Sequence, residues 1–552
     1  MKVQQVCPSG QCGFGVAGAS SPGMAPGWFR FPITSPPPRN GQDRQRQRIV
    51  ETNRLGTITA YSYCNCGSLE YITNAAGTAL QTVTHYVHDD AGRLSQIYYP
   101  DHNITNHYDS AWRVWAVTDA MGGRTNEFNL QGLVVSVSNS FGRVFWNEFN
   151  IHDLVTDSIN ANGVEVVMTY DELDRMLTRT YPDGGVEAFM YSARGLVAYT
   201  NQLTHGTSYA YDAGKRKTAE TNANNEVVQF TYSPAGVMLT LTDGKSQQTQ
   251  WKYDLYGRMT NKTDAASNIV FAYSYNANGW LTSRWTPAKG TTYHSFDAVG
   301  NMTGINYPNS PDITLNYDAL NRLTNMVDAV GNSRFSYDSV GQLLSEDGPW
   351  ASDTVSYTYN NRLRSSLTVQ NPNGPAWSQS YAWDSVKHLT NITSPAGAFS
   401  YLFQSPYAML PARLLLPNGA YITNTYDNMA HLAGTWLEGS NGVINAHEYV
   451  YNLGNQRTSV TRVDGSKVNY TYDNIGQLKT GQGAEFDDTV RKHEQFGYAY
   501  DAAGNLNYRT NNALLQTFDV NNLNQLVTVK RTNTLTVAVH SAARLIPFVK
   551  VK

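Results

Sequence analysis

The heptad Tyr253-Asp254-Leu255-Tyr256-Gly257-Arg258-Met259 returns with small edits along almost the whole chain, and no other feature restricts the fold so tightly. Tyr317-Asp318-Ala319-Leu320-Asn321-Arg322-Leu323 and Tyr472-Asp473-Asn474-Ile475-Gly476-Gln477-Leu478 are the same unit. Its chemistry is that of a turn with its flanks. An aromatic ends one strand, Asp accepts hydrogen bonds from backbone two residues on, and Gly or Asn takes a positive φ. Arg or Gln followed by Leu or Met then opens the returning strand.

The strand-ending position reads Tyr63, His88, Tyr108, Phe128, Phe149, Tyr170, Tyr191, Tyr211, Tyr232, Tyr253 and Tyr275. It continues through Phe296, Tyr317, Tyr337, Tyr359, Trp383, Phe403, Tyr426, Tyr451, Tyr472, Tyr500 and Val520. From His88 to Tyr359 successive anchors lie 20 to 22 residues apart, and later steps stretch to 28 before Tyr500. In 13 of the 22 units the residue two before an aromatic anchor is also aromatic, as in Tyr209/Tyr211 and Trp251/Tyr253. Side chains two apart share a face only in a strand, so helix is excluded here. Four residues after the anchor, 11 units carry Gly and three carry Asn, which sets the turn at one phase. The Tyr359 heptad is contracted to Tyr359-Asn360-Asn361-Arg362-Leu363.

A second turn lies midway between heptads, as at Asp119-Ala120-Met121-Gly122, Asn160-Ala161-Asn162-Gly163 and Pro182-Asp183-Gly184. Two turns in about 21 residues leave two strands of about six, so each unit is a hairpin and the array holds on the order of 40 strands. A flat sheet of that size is excluded by accumulated twist. At about 4.8 Å per strand the ribbon is roughly 200 Å long. The fold class expected is all-β, with tandem antiparallel hairpins wound as a spiral sheet into a hollow shell whose successive turns pair edge to edge. A propeller would need too many blades. A parallel β-helix, the second choice, conflicts with the tight turns between neighbouring strands.

Charged residues are 15% of the chain, apolar residues 41%, and the formal charge is −3, a balance that gives no basis for nucleic-acid binding outside the Arg-rich run at residues 39–48. Residues 1–50 are read as a disordered Pro/Gly/Arg-rich leader, 51–526 as the repeat shell and 527–552 as a tail, truncated at its end. No apolar run reaches the roughly 18 residues of a spanning helix, and residues 1–7 lack the apolar core of a secretory signal. Cys7, Cys12, Cys64 and Cys66 could in principle give Zn²⁺ four thiolates, but free thiols or a Cys7–Cys12 bridge is the reading adopted.

The Tyr-Asp-x-x-Gly-Arg-Leu/Met heptads, the Tyr-x-Tyr-Asp approach and the Tyr-Pro-Asp-Gly turn at residues 181–184 together resemble the RHS (rearrangement hotspot), or YD-repeat, family over residues 58–526. That family includes bacterial polymorphic toxins, cocoon-forming subunits of insecticidal toxin complexes and the extracellular teneurins. The resemblance implies a large β-shell around a cytotoxic C-terminal segment or a hydrophobic plug, secreted or at the cell surface. Toxin-delivery members carry a core segment rich in Asp-Pro-x-Gly, where aspartyl self-cleavage frees the cargo. No Asp-Pro occurs in this sequence, so no catalytic residue carries over, and the chain resembles shell wall without lid and cargo.

Other chemistry is weak on the page. Residues 13–18 fit a dinucleotide fingerprint in letters only, and Gly244-Lys245-Ser246 reads as an Asp-Gly hairpin turn, not a phosphate loop. His85, His88, His102 and His107 fall out of phase on their strands, which argues for packed or solvated histidines over a metal site. Asp109, Asp171, Asp212, Asp254, Asp318, Asp473 and Asp501 hold a turn position, not an acid–base pairing. Trp112, Trp115, Trp280 and Trp285 suit wall packing, with sugar stacking the alternative. No catalytic, cofactor or metal residue is therefore assigned. The function expected is a structural shell enclosing a polypeptide cargo, not an enzyme; the alternative is a glycan-binding adhesion module, and a β-helix lyase or hydrolase is a third class lacking its carboxylate or Arg/Lys cluster.

Overall fold

In a computed structural model of the chain, residues 39–42, 47–533, 535–537 and 549–551 are described. The chain divides into two units, Met1–Pro37, which lies outside the described residues, and Pro38–Lys552. Cys7, Cys12 and the fingerprint-like stretch at 13–18 fall in the first. In the second, every element among the described residues is a strand or a turn.

One 46-stranded sheet runs from Arg39–Gln42 to Leu526–Thr532, with each strand antiparallel to its sequence neighbour. A two-stranded ribbon, Leu535–Val537 with Val549–Val551, follows it.

The Tyr170 unit shows how the heptad does this. Strand Glu165–Tyr170 pairs with Met176–Thr180 through Thr169↔Thr178, then slips so that Tyr170 faces Met176. The same bulge recurs at Tyr211, Tyr232, Tyr253, Tyr317, Tyr337 and Tyr472. Beyond it the amide of Asp174 donates to the Asp171 carbonyl at 3.0 Å and the amide of Asp171 to the Arg175 carbonyl at 2.9 Å. This is the three-residue hairpin loop, a β-turn followed by one left-handed residue. Gly257 takes that place with φ 77° and Asn321 with φ 60°, but so do Trp112 (67°), Lys215 (60°), Lys387 (71°) and Ala430 (64°). The turn holds its shape even where the side chain resists it. The contracted unit at Tyr359 instead closes Asn360 onto Leu363, with Asn361 and Arg362 both left-handed, the mirror-image two-residue turn.

Along Glu165–Tyr170, Gly206–Tyr211 and Val227–Tyr232, exposed and half-buried residues alternate, and the half-buried face carries the aromatics. No second layer covers it. The buried apolar residues are small ones such as Ala75, Ala116, Ala408, Ala446, Val460 and Val468. Tyrosine and tryptophan do not occur in that set. Among the described residues the wall is one sheet thick and its aromatic side chains pack along the sheet. It is an all-β spiral sheet wound as a hollow shell.

Three expectations need correction. The ladder starts at Arg39, inside the stretch read as leader, and runs past 526 to Thr532. Arg39 and Arg48 charge the outermost strands, which suits a free edge but hides them from a repeat search. Secondly, successive winds do not pair through backbone edges, because each strand's ladder partners are its sequence neighbours. Thirdly, Cys64 and Cys66 are joined in a disulfide, not free, so neither is a thiolate ligand.

A left-handed residue with a Cβ costs on the order of 1 kcal/mol relative to glycine. Lys215→Gly should therefore stabilise its hairpin by about 1 kcal/mol and Gly257→Ala should destabilise its own by about as much. Hydrogen exchange at the two turns reads both, and changes of equal sign would contradict the turn geometry.

Candidate functional site

A wall without a filled core depends on how units lock to each other. The Asp171 carboxylate accepts the Leu173 amide at 2.9 Å and the Arg175 amide at 3.0 Å on one oxygen, and Arg175 Nε at 2.8 Å on the other. The Arg175 guanidinium reaches on to the Ser192 carbonyl (3.2 Å) and lies 4.7 Å from the Tyr191 ring, the next anchor. Arg216 does the same to Ser233 and Tyr232, Arg258 to Asn276 and Tyr275, and Arg322 to Asp338 and Tyr337. Each arginine thus closes its own turn and stacks on the following unit. The guanidinium hydrogen bond, then the backbone amides, hold Asp171 and Asp212 below the ordinary carboxylate range.

A second coupling runs backwards. Tyr170 Oη donates to the Val155 carbonyl at 2.7 Å, past the last ladder pair of those strands, Asp157↔Val167. Tyr232 reaches Lys217, Tyr275 Met259, Tyr337 Leu323 and Tyr472 Arg457 in the same way, at 2.7 to 2.9 Å. Each hydroxyl satisfies a carbonyl that the bulge removes from the ladder. Burial pushes these tyrosines above their usual range at Tyr170, Tyr232 and Tyr337.

The winds meet along a seam of turn tips. Mid-unit turns of the first wind touch heptad turns of the second, between residues 224 to 281 apart in sequence. Arg362 clasps Asp101 at 2.9 and 3.1 Å, Lys387 reaches Asp119 at 3.1 Å and Lys245 reaches Asp501 at 2.8 Å. Asn224 donates to Asp473, Asn428 to the Pro182 carbonyl, and the Met409 amide to Asn162. A Cβ on Gly244 would lie 2.1 Å from the Ala502 carbonyl oxygen. Between the tips at 160–163 and 404–408 the seam leaves a cavity of about 590 Å³ lined by Arg143, Trp146, Asn162, Gln404 and Tyr407. Burial pushes Asp101, Asp119 and Asp501 up, yet bonds from Arg362, Lys387, Lys245 and nearby amides outweigh it and leave all three below the ordinary range.

The residues singled out from sequence now have places. Asp109, Asp171, Asp212, Asp254 and Asp318 form turn clamps with Arg113, Arg175, Arg216, Arg258 and Arg322. Asp473 and Asp501 clamp backbone amides but spend their second oxygen on the seam. Lys245, in the stretch resembling a phosphate loop, is a seam residue. His85 lies stacked on Tyr71 and Tyr98, His102 on Tyr99, and His107 sits beside Trp115. Among the described residues no three His, Cys, Asp or Glu side chains group so as to hold a metal. Trp280 packs against Phe296 and Trp285 is half-buried, whereas Trp112 is 64% and Trp115 43% exposed. Sequence reasoning missed the seam residues Asp101, Asp119, Arg362 and Lys387. A partial signal is the sixth heptad position, which is Arg in five units before residue 276 (Arg93, Arg113, Arg175, Arg216, Arg258) but after it, Arg322 apart, is more often Gln, His or Asn, as at Gln342, His388, His431, Gln477 and Asn505.

Comparison with known proteins agrees with this architecture. The teneurin YD-shell family model matches residues 194–342. The double-stranded DNA deaminase toxin A of Burkholderia cenocepacia (strain H111) is 25% identical over 262 residues, 47% of this chain and 16% of that protein. Among solved structures, TcdB2-TccC3 without its hypervariable C-terminal region aligns with a TM-score of 0.54 at 13% identity, over 91% of this chain and 30% of that one. A Photorhabdus luminescens Tc holotoxin pore aligns with the same score at 14% identity, again over 91% and 30%. The chain therefore spans less than a third of each of these three proteins. No helix among the described residues is long and apolar enough to cross a membrane.

The seam carboxylates fix the sign of a pH effect. With folded values depressed, their stabilisation is complete above the unfolded carboxylate range near pH 4 and is lost as pH falls through the lower folded values. Small-angle scattering should show the particle expanding between pH 5 and pH 3 while the far-ultraviolet strand signal at first persists. Gly244→Ala should open the seam at neutral pH, raising hydrogen exchange at residues 243–247 and 501–505. Unchanged exchange there would contradict the tip-to-tip contact.

Proposed function

We propose that this chain, an RHS/YD-repeat β-shell region, serves as the lateral wall of a container for a polypeptide of the toxin kind, in an exported system. The observation that carries the reading is the single-layer sheet, wound on itself with turn tips meeting along a seam and with no second layer among the described residues. A filled centre would make the chain a globular domain; an unfilled one leaves room for another polypeptide. The relatives support the cargo class: one is named as a DNA deaminase toxin, and the structures of like fold are toxin complexes. The wall's own residues are engaged in clamps, ring stacks and seam pairs, so the role is mechanical and any reaction belongs to the cargo.

The test is protection. An unstructured polypeptide of about 100 residues appended after Lys552 should resist thermolysin in the intact shell, since the space between strands at about 4.8 Å excludes a protease. A seam-broken Gly244→Ala/Lys245→Glu variant should lose that protection at least tenfold. Equal digestion in both proteins, at the rate of the free polypeptide, would overturn the container reading.

A further inference from the structure

One unit of the array is built with different chemistry. Tyr63-Cys64-Asn65-Cys66-Gly67-Ser68-Leu69 occupies a heptad in full register, with Tyr63 facing Leu69 across the bulge and Gly67 at φ 85° in the left-handed place. Its backbone bonds match the other units: the Cys64 amide donates to the Ser68 carbonyl at 3.0 Å and the Gly67 amide to the Cys64 carbonyl at 2.9 Å. What differs is the clamp. Cys64 stands where units such as those of Tyr170 and Tyr253 carry Asp, Ser68 where those units carry Arg, and the Cys64–Cys66 disulfide spans the turn instead. Carboxylate bonds to the turn amides and the arginine stack on the next anchor are both lost. That next anchor is His88, which has no phenol hydroxyl to donate backwards. The turn keeps an outside bond from Gln47 Nε2 to the Gly67 carbonyl at 2.8 Å, and Tyr63 still reaches back to the Arg48 carbonyl, but the link across the turn itself is a covalent bond between two sulfurs.

We propose that Cys64–Cys66 is a thiol–disulfide exchange site, a clasp that low-molecular-weight thiols open and that controls the order of the hairpin Ile58–Tyr63/Leu69–Asn74. Cys66 lies exposed at the turn and Cys64 is half-buried, so attack is directed to the Cys66 sulfur. A thiolate joins Cys66 as a mixed disulfide and the Cys64 sulfur leaves with the electron pair of the broken bond. A second thiolate then attacks the mixed disulfide, freeing Cys66 and forming the small-molecule disulfide. Two thiols are oxidised, one protein disulfide is reduced, and the protons lost by the thiols end on Cys64 and Cys66. Reduction leaves the turn with its backbone bonds and the Gln47 bond to the Gly67 carbonyl, and with no link across it. From the loop-closure term for so short a ring, local opening of this hairpin should rise by on the order of tenfold. The effect stays local, because the strand ladder of this hairpin joins it only to the strands beside it in sequence.

The experiment uses the full chain carrying Cys7→Ser and Cys12→Ser, with dithiothreitol as the reductant and hydrogen exchange as the readout. The expected result is a gain of two hydrogen masses on reduction, with exchange raised about tenfold across residues 58–74 and unchanged in the units beyond Tyr108. A second variant, Cys64→Asp/Cys66→Ala/Ser68→Arg, rebuilds the ordinary heptad and should keep exchange low with or without reductant. Two free thiols before reduction, or reduction without any local rise in exchange, would overturn the proposal. So would a rebuilt heptad that exchanges as fast as the reduced protein. None of these outcomes depends on whether the shell encloses a cargo.

Discussion

A sheet one layer thick cannot draw its order from a buried centre, so each hairpin must be held by its own turn and by the hairpins beside it. The aspartate at the second heptad position meets that constraint. Its carboxylate accepts two turn amides, as Asp171 does from Leu173 and Arg175, and so fixes the loop before any long-range contact exists. Once the loop is fixed, the bulge beside it sets which face the anchor aromatic occupies. The arginine and the tyrosine hydroxyl then act across unit boundaries in opposite directions along the chain. Aromatic area that stays half exposed contributes less than a buried core would, roughly in proportion to the surface removed from water. The polar couplings are thus not ornament on a hydrophobic fold; they compensate for the missing layer.

The same carboxylate does two jobs, and the sixth heptad position decides which. With arginine there, as at Arg175 or Arg322, the second oxygen is engaged inside the unit. With Gln477 the second oxygen of Asp473 accepts from Asn224 of the neighbouring wind, and with Asn505 the second oxygen of Asp501 is shared between Asn505 and Lys245. Local rigidity is exchanged for contact across the seam. Half-exposed ion pairs of this kind are individually weak, about 1 kcal/mol or less. They act together because the spiral presents them in series, with glycines such as Gly244 letting backbones approach where no Cβ fits.

Most of the fold was legible in the sequence because its information is local. The spacing of anchors, the aromatic pairs two apart and the Gly or Asn four residues on are all consequences of one turn, repeated. Three things were not legible, each for a physical reason. The strands Arg39–Gln42 and Arg48–Thr52 have no anchor, since an edge strand has no earlier unit to lock onto. The seam joins residues some 250 positions apart, as Asn224 and Asp473 show, and no periodicity of 21 residues reports a contact set by how tightly the ribbon coils. Left-handed Trp112 and Lys215 were invisible because the backbone imposes a conformation their side chains do not favour. The more frequent Gln, His or Asn in place of Arg after residue 276 was present in the letters and went unread.

A fold held unit by unit also tolerates local substitution of mechanism. The Cys64 hairpin keeps the backbone hydrogen bonds of the array while replacing its carboxylate clamp with sulfur, and the contracted Tyr359 loop keeps the ladder with a different turn altogether. In both places the ladder on either side keeps its antiparallel pairing, and the Tyr359 loop adds a seam contact through Arg362 and Asp101. This separates the wall from whatever it surrounds. Interior chemistry can change without disturbing the strand ladder, and a ladder element can acquire sensitivity to its surroundings without altering the particle as a whole. The proposed container role rests on that independence as much as on the curvature of the sheet.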